Sequence, residues 1–414
     1  MRIEVVNTGT ELLLGKVVNT HVSYFGQELF KLGLRVQRQT TIPDGDDIRE
    51  VLESAFSRSD AILITGGLGP TSDDLTREIV ADMLGRELIL DQGILEELNE
   101  FFKLRGLSPD RTNDRQAMVP EGAEVLVNPH GTAPGLYVPA SEVDKSPHLF
   151  LLPGPPRELK PMFKDLVYPR LAEMGASDGA SGVWHNFRIY GVGESSIAGK
   201  LDPMFEADPD VELGYCARLG EVDVRLIGSP EAVDSAAAKV REIYVHDIIA
   251  EAEDPIEKVV VDLLCERGET VATAESCTGG QIASTITNVP GSSRIIERGY
   301  ITYANEAKTD VLGVDSELIR EHGAVSAAVV KAMAEGCLKV SGADHAIAVS
   351  GIAGPDGGTD EKPVGTVYLA IASSLNETFV KRYFSPTDRI SFKLRITRLA
   401  LDFLRRRLLG FPLD

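Results

Sequence analysis

The sequence predicts an α/β protein built in three parts, and three observations carry that prediction. Short apolar β-rich runs alternate with stretches whose apolar residues recur at helical spacing, the pattern of strands covered by helices. The 414 residues exceed the roughly 100–200 that one core ordinarily serves. Composition changes twice along the chain, at a small-residue stretch GASDGASG over 175–182 and at an acidic hinge, Glu251-Ala252-Glu253-Asp254-Pro255. These changes place the parts at 1–168, 169–253 and 254–414.

In the first part, Ile3 to Asn7 reads as a strand. From Asn19 the period changes: Val22, Phe25, Leu29 and Leu32 share one helical face, and Gly33 supplies a stop. Ala61–Thr65 is a continuous apolar run, as in a parallel strand buried on both faces. His148 to Leu152 is another, ended by Pro153. The second part alternates through Glu221–Ile227 and is helical from Pro230 to Tyr244, which predicts a small α+β module. In the third part, strands are expected at Thr270–Ala274, Gly299–Tyr303, Ala346–Ser350 and Gly365–Ala372. Arg389 to Leu409 is a basic amphipathic helix with Ile390, Leu394, Leu401, Leu404 and Leu408 on one side. In a chain with this many strands to cover, it is expected to dock on a sheet rather than on a membrane surface or a partner.

Charge and composition exclude several classes. With 42 Lys and Arg against 63 Asp and Glu, the net charge is −21. Such a surface repels phosphate backbones, so direct binding to nucleic acid is not expected. Any phosphate must be met by a local pocket, backbone N–H groups or a metal. Four scattered cysteines with no C-x-x-C pair point to neither a zinc ribbon nor a disulfide framework. No apolar run reaches the roughly 18 residues of a membrane span, and Met1-Arg2-Ile3-Glu4 already reads as a strand. A cytoplasmic protein is expected.

The run Gly66-Gly67-Leu68-Gly69-Pro70-Thr71-Ser72-Asp73-Asp74 follows a buried strand and precedes a helix expected to begin near Asp74. Gly66, Gly67 and Gly69 let the backbone approach a ligand, and the turn offers N–H groups to an anion. A glycine turn at a strand end is as often purely structural. Asp73 and Asp74 shift the balance, because they would repel a phosphate unless a cation lay between. One of them has a second use as a helix cap. The other is a candidate Mg²⁺ ligand, since that ion takes one or two carboxylates together with phosphate oxygens. Gly154-Pro155 and Glu11 stand at two further strand ends. Glu11 reads as a metal ligand or general base, and equally as part of a solvated turn. In open α/β sheets such strand ends line the ligand crevice.

Thr273-Ala274-Glu275-Ser276-Cys277-Thr278-Gly279-Gly280 repeats the strand-to-helix arrangement. Ser276 would sit at the turn, where Thr278, Gly279 and Gly280 open a helix whose N-terminal field favours an alkoxide or oxyanion. The plainer alternative is that Ser276 or Thr278 only caps the helix. A serine nucleophile needs a base. His322 and His345 read as packing or capping residues, and Lys308 is the better candidate, although an isolated helical lysine is ordinarily solvated. Cys277 is the rival nucleophile. Neighbours at a turn point differently, so only one of the two faces the site. Gly351-Ile352-Ala353-Gly354-Pro355 echoes the turn at 66–70: an apolar strand, a hydroxyl residue, then G-x-x-G-P. Gly351, Ala353 and Gly354 are therefore candidate ligand-binding positions, as the glycines of the earlier turn are.

Residues 1–168 resemble the molybdopterin-binding-like domain of the CinA (competence/damage-inducible protein A) family. The matching pieces are Gly9-Thr10-Glu11-Leu12-Leu13, Asn19-Thr20, the run Thr65–Thr76 and Leu152-Pro153-Gly154-Pro155-Pro156. Residues from about 254 onward resemble that family's C-terminal domain, similar to the stand-alone nicotinamide-nucleotide amidase. They do so through Ala274–Gly280, Pro290-Gly291-Ser292-Ser293, Thr302–Lys308, His322–Ser326, Ser350–Gly358 and Lys362–Val367. The resemblance implies a three-layer α/β/α domain, a small α+β middle module and an α/β amidase domain. It implies a first domain that cleaves ADP-ribose to AMP and ribose 5-phosphate with a divalent metal (Mg²⁺, Mn²⁺ or Co²⁺). It implies a last domain that hydrolyses nicotinamide mononucleotide (NMN) without a cofactor, with Ser276 as nucleophile, Lys308 as base and Tyr303 as proton relay or orienting group. A homodimer is implied as well.

Phe384–Arg389 departs from the family's glycine-aspartate-arginine pattern, since Pro386-Thr387 replaces the glycine, and this leaves the place of Arg389 open. The rival reading is a nucleotide- or molybdopterin-binding regulatory protein linked to competence or DNA damage. The amidase reading makes a physical demand. Free lysine titrates near about 10.4, so a base working near neutrality needs its pKa lowered by about 3. Lys308 must therefore be buried and within hydrogen-bond reach of Ser276.

Overall fold

The computed structural model describes residues 1–106, 111–176, 183–206 and 210–413. They fall into two compact units, Met1–Ser181 and Gly182–Asp414. The strands of the first unit are β1 (Ile3–Thr8), β2 (Val36–Ile42), β3 (Ala61–Thr65), β4 (Leu88–Leu90), β5 (Met118–Pro120), β6 (Glu124–Leu126), β7 (Gly135–Val138) and β8 (His148–Leu152). Six of them form a sheet in the order β2-β1-β3-β8-β7-β6, parallel from β2 to β8 and antiparallel beyond.

Side-chain alternation divides the buried strands between two cores. Val6, Ile62, Ile64, Leu149 and Leu151 meet the helices Asp47–Phe56, Thr76–Met83 and Gln92–Leu104. Ile3, Val5, Leu63, Phe150 and Leu152 meet Phe25, Leu29, Leu159 and Phe163 on the opposite face. The result is the expected three layers, and the unbroken apolar runs at β3 and β8 follow from having no solvent side. The helix Tyr168–Ala176 adds Leu171 to the second core, so the first unit continues past residue 168. Gly175 and Ala176 of the expected linker end that helix, and 177–182 lie outside the described residues.

The second unit opens with β9 (Val183–Tyr190), β10 (Val211–Ala217), β11 (Glu221–Gly228) and β12 (Ile248–Ala250), an antiparallel sheet in the order β10-β11-β9-β12. Phe187, Ile189, Val222, Val224 and Leu226 pack one face against the helices Glu194–Phe205 and Pro230–Ile243. It continues with β13 (Val271–Glu275), β14 (Ile296–Ile301), β15 (His345–Gly351), β16 (Thr366–Ser373) and β17 (Asn376–Phe384), in the order β14-β13-β15-β16-β17. β14, β13 and β15 are parallel, and β16 and β17 are antiparallel. Ala272, Ala274, Ala346, Ala348, Ala370 and Ala372 make one face smooth, so Val329, Val330 and Met333 of the helix Ala327–Ser341 pack directly on it. Val271, Ile347, Val349, Leu369 and Ile371 make the other face, under the helices Ile256–Arg267, Gln281–Thr287 and Arg389–Leu409.

The helix Arg389–Leu409 docks on the sheet as expected, but its buried side differs from the expected stripe. Ile390 is 72% exposed and Leu394 37%. Phe392, Ile396, Leu399 and Phe403 are buried together with Leu401, Leu404 and Leu408. The helix is covered by the sheet and also by the middle module, so its buried surface is wider than one stripe. It takes in charges as well: Asp402 is held by Arg405 at 2.7 Å and by Arg406 at 2.7 Å. Among the described residues no helix is long and apolar enough to cross a membrane.

Candidate active sites

The C-terminal ends of β1, β3 and β8 surround a cavity of about 370 Å³. The chain leaves β1 toward β2 on one side and later returns as β3 on the other, the switch point where an α/β sheet opens a crevice. The Gly66 N–H donates to Leu152 O at 3.0 Å and joins the two turns. Gly66 (φ 95°) and Gly67 (φ 67°) take the left-handed conformation that favours glycine. A Cβ on Gly66 would lie 2.5 Å from Thr8 O, and one on Gly67 would collide with Thr76 Oγ1.

Side chains from outside the loop hold its carbonyls. Thr76 Oγ1 donates to Gly66 O at 3.0 Å, and Arg77 donates to Leu68 O at 2.8 Å. Arg115 donates to Thr71 O at 2.6 Å and Asp74 O at 3.2 Å. Within the loop the Gly66 and Thr71 N–H groups are taken by Leu152 O and Asp74 Oδ2, whereas among the described residues those of Gly67, Leu68 and Gly69 meet no acceptor and are left for an anion. Beneath it, buried His21 lies with Nδ1 3.2 Å from Thr65 Oγ1, which also accepts from Asn7 at 2.7 Å. Burial pushes the His21 pKa down.

Gly69, Gly154 and Pro155 line this cavity, as do Glu11, Asp44, Asp73, Asp74 and Glu158. Among the described residues it has no Lys, Arg or His in its lining. Asp74 is not a helix cap. The helix begins at Thr76, and Asp74 Oδ2 accepts instead from the Thr71 N–H at 2.9 Å and from the Thr71 hydroxyl. Asp44 accepts from the Thr10 N–H at 3.0 Å, and Glu158 from Asn128 at 2.9 Å. Glu11 and Asp73 are exposed, and a hydrogen bond from Thr71 holds Asp73 below the usual carboxylate range. No three His, Cys, Asp or Glu side chains among the described residues gather closely enough to hold a metal ion by themselves. The all-oxygen donor set fits a hard cation shared with a diphosphate rather than one caged by protein alone.

The second unit repeats the arrangement. Ser276 follows β13, Thr302 follows β14 and Gly351 ends β15, and these three strands are neighbours. The Ser276 N–H donates to Val349 O at 3.0 Å and the Thr302 N–H to Glu275 O at 2.9 Å. Lys308, on the helix Asn305–Leu312, is 1% exposed. Its Nζ lies 3.5 Å from Ser276 Oγ and donates to Thr302 O at 2.9 Å, Tyr303 O at 3.3 Å and Ala304 O at 3.4 Å. Burial pushes the amine pKa down, against the opposing pull of Cys277 and Glu306. The carbonyl oxygens also favour the ammonium. Both demands on a lysine base, burial and reach, are met.

Neither Ser276 nor Thr278 caps the helix Gln281–Thr287. Glu275, fully buried, accepts from the N–H groups of Gly280 at 2.9 Å, Ile282 at 3.0 Å and Ala283 at 2.9 Å. That leaves the serine hydroxyl to Lys308. Thr278 Oγ1 is buried with no partner among the described residues. Tyr303 is 58% exposed, and its hydroxyl accepts from Arg389 at 3.0 Å. Arg389 also donates to Gly354 O at 2.8 Å, on the turn that holds Gly351 and Ala353. The Tyr303 hydroxyl thus joins the site through Arg389, while its backbone carbonyl meets Lys308. Despite Pro386-Thr387, Asp388 caps the helix on the Ile390 and Ser391 N–H groups, and Arg389 reaches the site.

Residues 253–408 match the CinA C-terminal domain, 4–173 a family described as a probable molybdopterin binding domain, and 185–252 the damage-inducible protein CinA KH domain. A CinA-like protein of Akkermansia muciniphila is 48% identical over 403 residues, covering 97% of this chain and 96% of its own. The chain belongs to the CinA family. A CinA-like protein of Dictyoglomus turgidum is 39% identical over 420 residues, covering 99% of this chain and all (100%) of its own. Among solved structures, the competence/damage inducible protein CihA from Agrobacterium tumefaciens is 41% identical, covers 37% of this chain and 93% of its own, and has a TM-score of 0.36.

In this CinA-family chain the KH match names the middle module, for which the sequence offered the fewest motifs. The rival nucleophile can now be weighed. Cys277 is 4% exposed, and burial pushes its thiol up to about 12. It is protonated near neutrality, and the thiolate is the reactive form. If Ser276 is the nucleophile of this site, Cys277→Ala is expected to keep its activity within about threefold of the parent. A loss as deep as that of Ser276→Ala would reverse the assignment.

Proposed function

We propose that this protein is a bifunctional pyridine-nucleotide salvage enzyme whose C-terminal domain converts NMN to nicotinate mononucleotide and ammonia. One observation carries the reading: a fully buried lysine amine 3.5 Å from a serine hydroxyl at a strand-to-helix turn. The neutral Lys308 amine takes the Ser276 proton as Oγ attacks the carboxamide carbon. The tetrahedral intermediate collapses, the C–N bond breaks, and the leaving ammonia takes its proton from the Lys308 ammonium. Water, deprotonated by the same amine, then cleaves the acyl-serine ester. The Thr278 hydroxyl is the candidate donor to the oxyanion. Arg389 and Tyr303 are candidates to position the nucleotide. Incubation with NMN is expected to release ammonia with or without a chelator, and an untouched mononucleotide would end this reading.

The second activity is cleavage of ADP-ribose to AMP and ribose 5-phosphate in the first unit. The cavity of about 370 Å³, walled by carboxylates and a glycine loop, supports it. Glu11 and Asp73 would hold a divalent cation jointly with the diphosphate, and the bound ion neutralises phosphate charge and activates water. The loop from Gly66 to Asp74 supplies N–H donors, and Gly154-Pro155 shapes the opposite wall. AMP release is expected with added Mg²⁺, Mn²⁺ or Co²⁺ and is expected to stop with chelator. No AMP with any of the three would leave a nucleotide- or molybdopterin-binding site in its place. A homodimer belongs to this reading. Nucleic acid does not, given the net charge of −21 and the absence of a G-x-x-G over 185–252, the loop with which a KH fold clamps a nucleotide backbone.

A further inference from the structure

The middle module and the C-terminal domain, both within the second unit, enclose a cavity of about 220 Å³. Tyr190, at the end of β9, forms one wall. Tyr383 and Phe384, at the end of β17, and Arg395, Ile396 and Leu399 of the helix Arg389–Leu409 form the others. Three further arginines of this helix are committed to the middle module. Arg398 donates to Leu219 O at 2.6 Å, Arg405 to His246 O at 2.7 Å, and Arg406 to Asp247 at 2.8 Å. Arg395 is half-buried, yet it has no hydrogen-bond or ion-pair partner among the described residues. Tyr190 is 7% exposed, and its hydroxyl likewise has none.

Both groups open onto the cavity rather than onto a partner within the chain. A guanidinium partly withdrawn from water is costly unless an anion meets it. A buried phenol ordinarily finds a hydrogen-bond partner. The nearby carboxylates are already engaged: Glu221 lies 3.7 Å from Arg398 and 3.9 Å from Arg188, and Asp402 is held by Arg405 and Arg406. The partner that suits both groups is an anion from outside the chain, and the walls say what else it carries. Tyr383, Phe384, Ile396 and Leu399 present aromatic and apolar surface that a bare inorganic ion would leave uncovered.

We propose that this cavity binds a small aromatic carboxylate. Its carboxylate is forked by Arg395 and accepts from the Tyr190 hydroxyl, and its ring lies against Tyr383, Phe384 and Leu399. The planar guanidinium matches a carboxylate in a two-point contact. The volume takes one ring with one charged group and is too small for a nucleotide. The site is separate from the Ser276–Lys308 pair and does not depend on the chemistry assigned there.

The test is a titration of the full chain with benzoate, followed by calorimetry. Saturable binding is expected, with benzamide, the uncharged isostere, at least about tenfold weaker. Arg395→Gln is expected to weaken benzoate at least about tenfold and Tyr190→Phe about threefold, with circular dichroism confirming that both variants are folded. Inorganic phosphate is expected not to compete. The proposal falls if wild type shows no saturable binding, if benzoate and benzamide bind equally, if phosphate displaces benzoate, or if both folded variants keep the parent affinity.

Discussion

Ser276→Ala and Lys308→Met are each expected to cut NMN hydrolysis by about a thousandfold or more, and the double variant by little beyond either alone. In the proposed reaction the two side chains act as one unit across their contact of 3.5 Å, so removing one would disable both. Lys308→Arg keeps the positive charge but cannot surrender a proton near neutrality, and it should be as inactive as the methionine variant. The pH profile supplies an independent check. The proposed working form is the neutral amine, and burial moves its pKa below the ordinary lysine value of about 10.4. kcat/KM is therefore expected to rise with pH and to level off above the lowered pKa. A profile falling through that range, or a Lys308→Arg enzyme retaining substantial activity, would show that the lysine only braces the turn.

The largest stability effect is expected from Glu275→Ala. Its carboxylate, wholly out of solvent, is the acceptor for three backbone N–H groups at 2.9–3.0 Å. Deleting it strands those donors inside the protein at a cost of about 3 kcal/mol or more. The midpoint of denaturant unfolding should fall accordingly, and amidase activity should fall with it, because the same turn carries Ser276. Glu275→Gln keeps one acceptor oxygen and should lie between the two. A Glu275→Ala protein within about 0.5 kcal/mol of the parent would refute this account of how the turn is held.

The parts of the fold legible in the sequence are those whose cause is local. Ala61–Thr65 and His148–Leu152 are apolar on both faces, so each strand announces itself, and its limits match the structure to the residue. The Ser276–Lys308 contact is legible only through the family resemblance, because the residues alone leave Ser276 a candidate helix cap and Lys308 an ordinary solvated lysine. Asp74 misleads because its position before a helix resembles a cap. The competing local bond to Thr71 wins, as Asp and Thr side chains often satisfy turns before helices. The exposed Ile390 and Leu394 mislead because a single apolar stripe presumes one neighbour, and this helix has two. Arg77, Arg115 and His21 are illegible for another reason. Their partners lie 9, 44 and 44 residues away, and only the closed chain brings them together.

The double engagement of the helix Arg389–Leu409 has a consequence for biosynthesis. Both cores of the first unit are complete by Leu171, so that unit can close while the rest is still being translated. The second unit has no such early finish. One face of its larger sheet lacks a third of its helical cover, and the middle module lacks Arg398, Arg405 and Arg406, until this late segment leaves the ribosome. At ordinary elongation rates that interval lasts roughly tens of seconds. Val271, Ile347, Val349 and Ile371 lack this helix's share of their cover from the moment each emerges until the helix arrives, which makes the nascent second unit the stage at which chaperone help matters most.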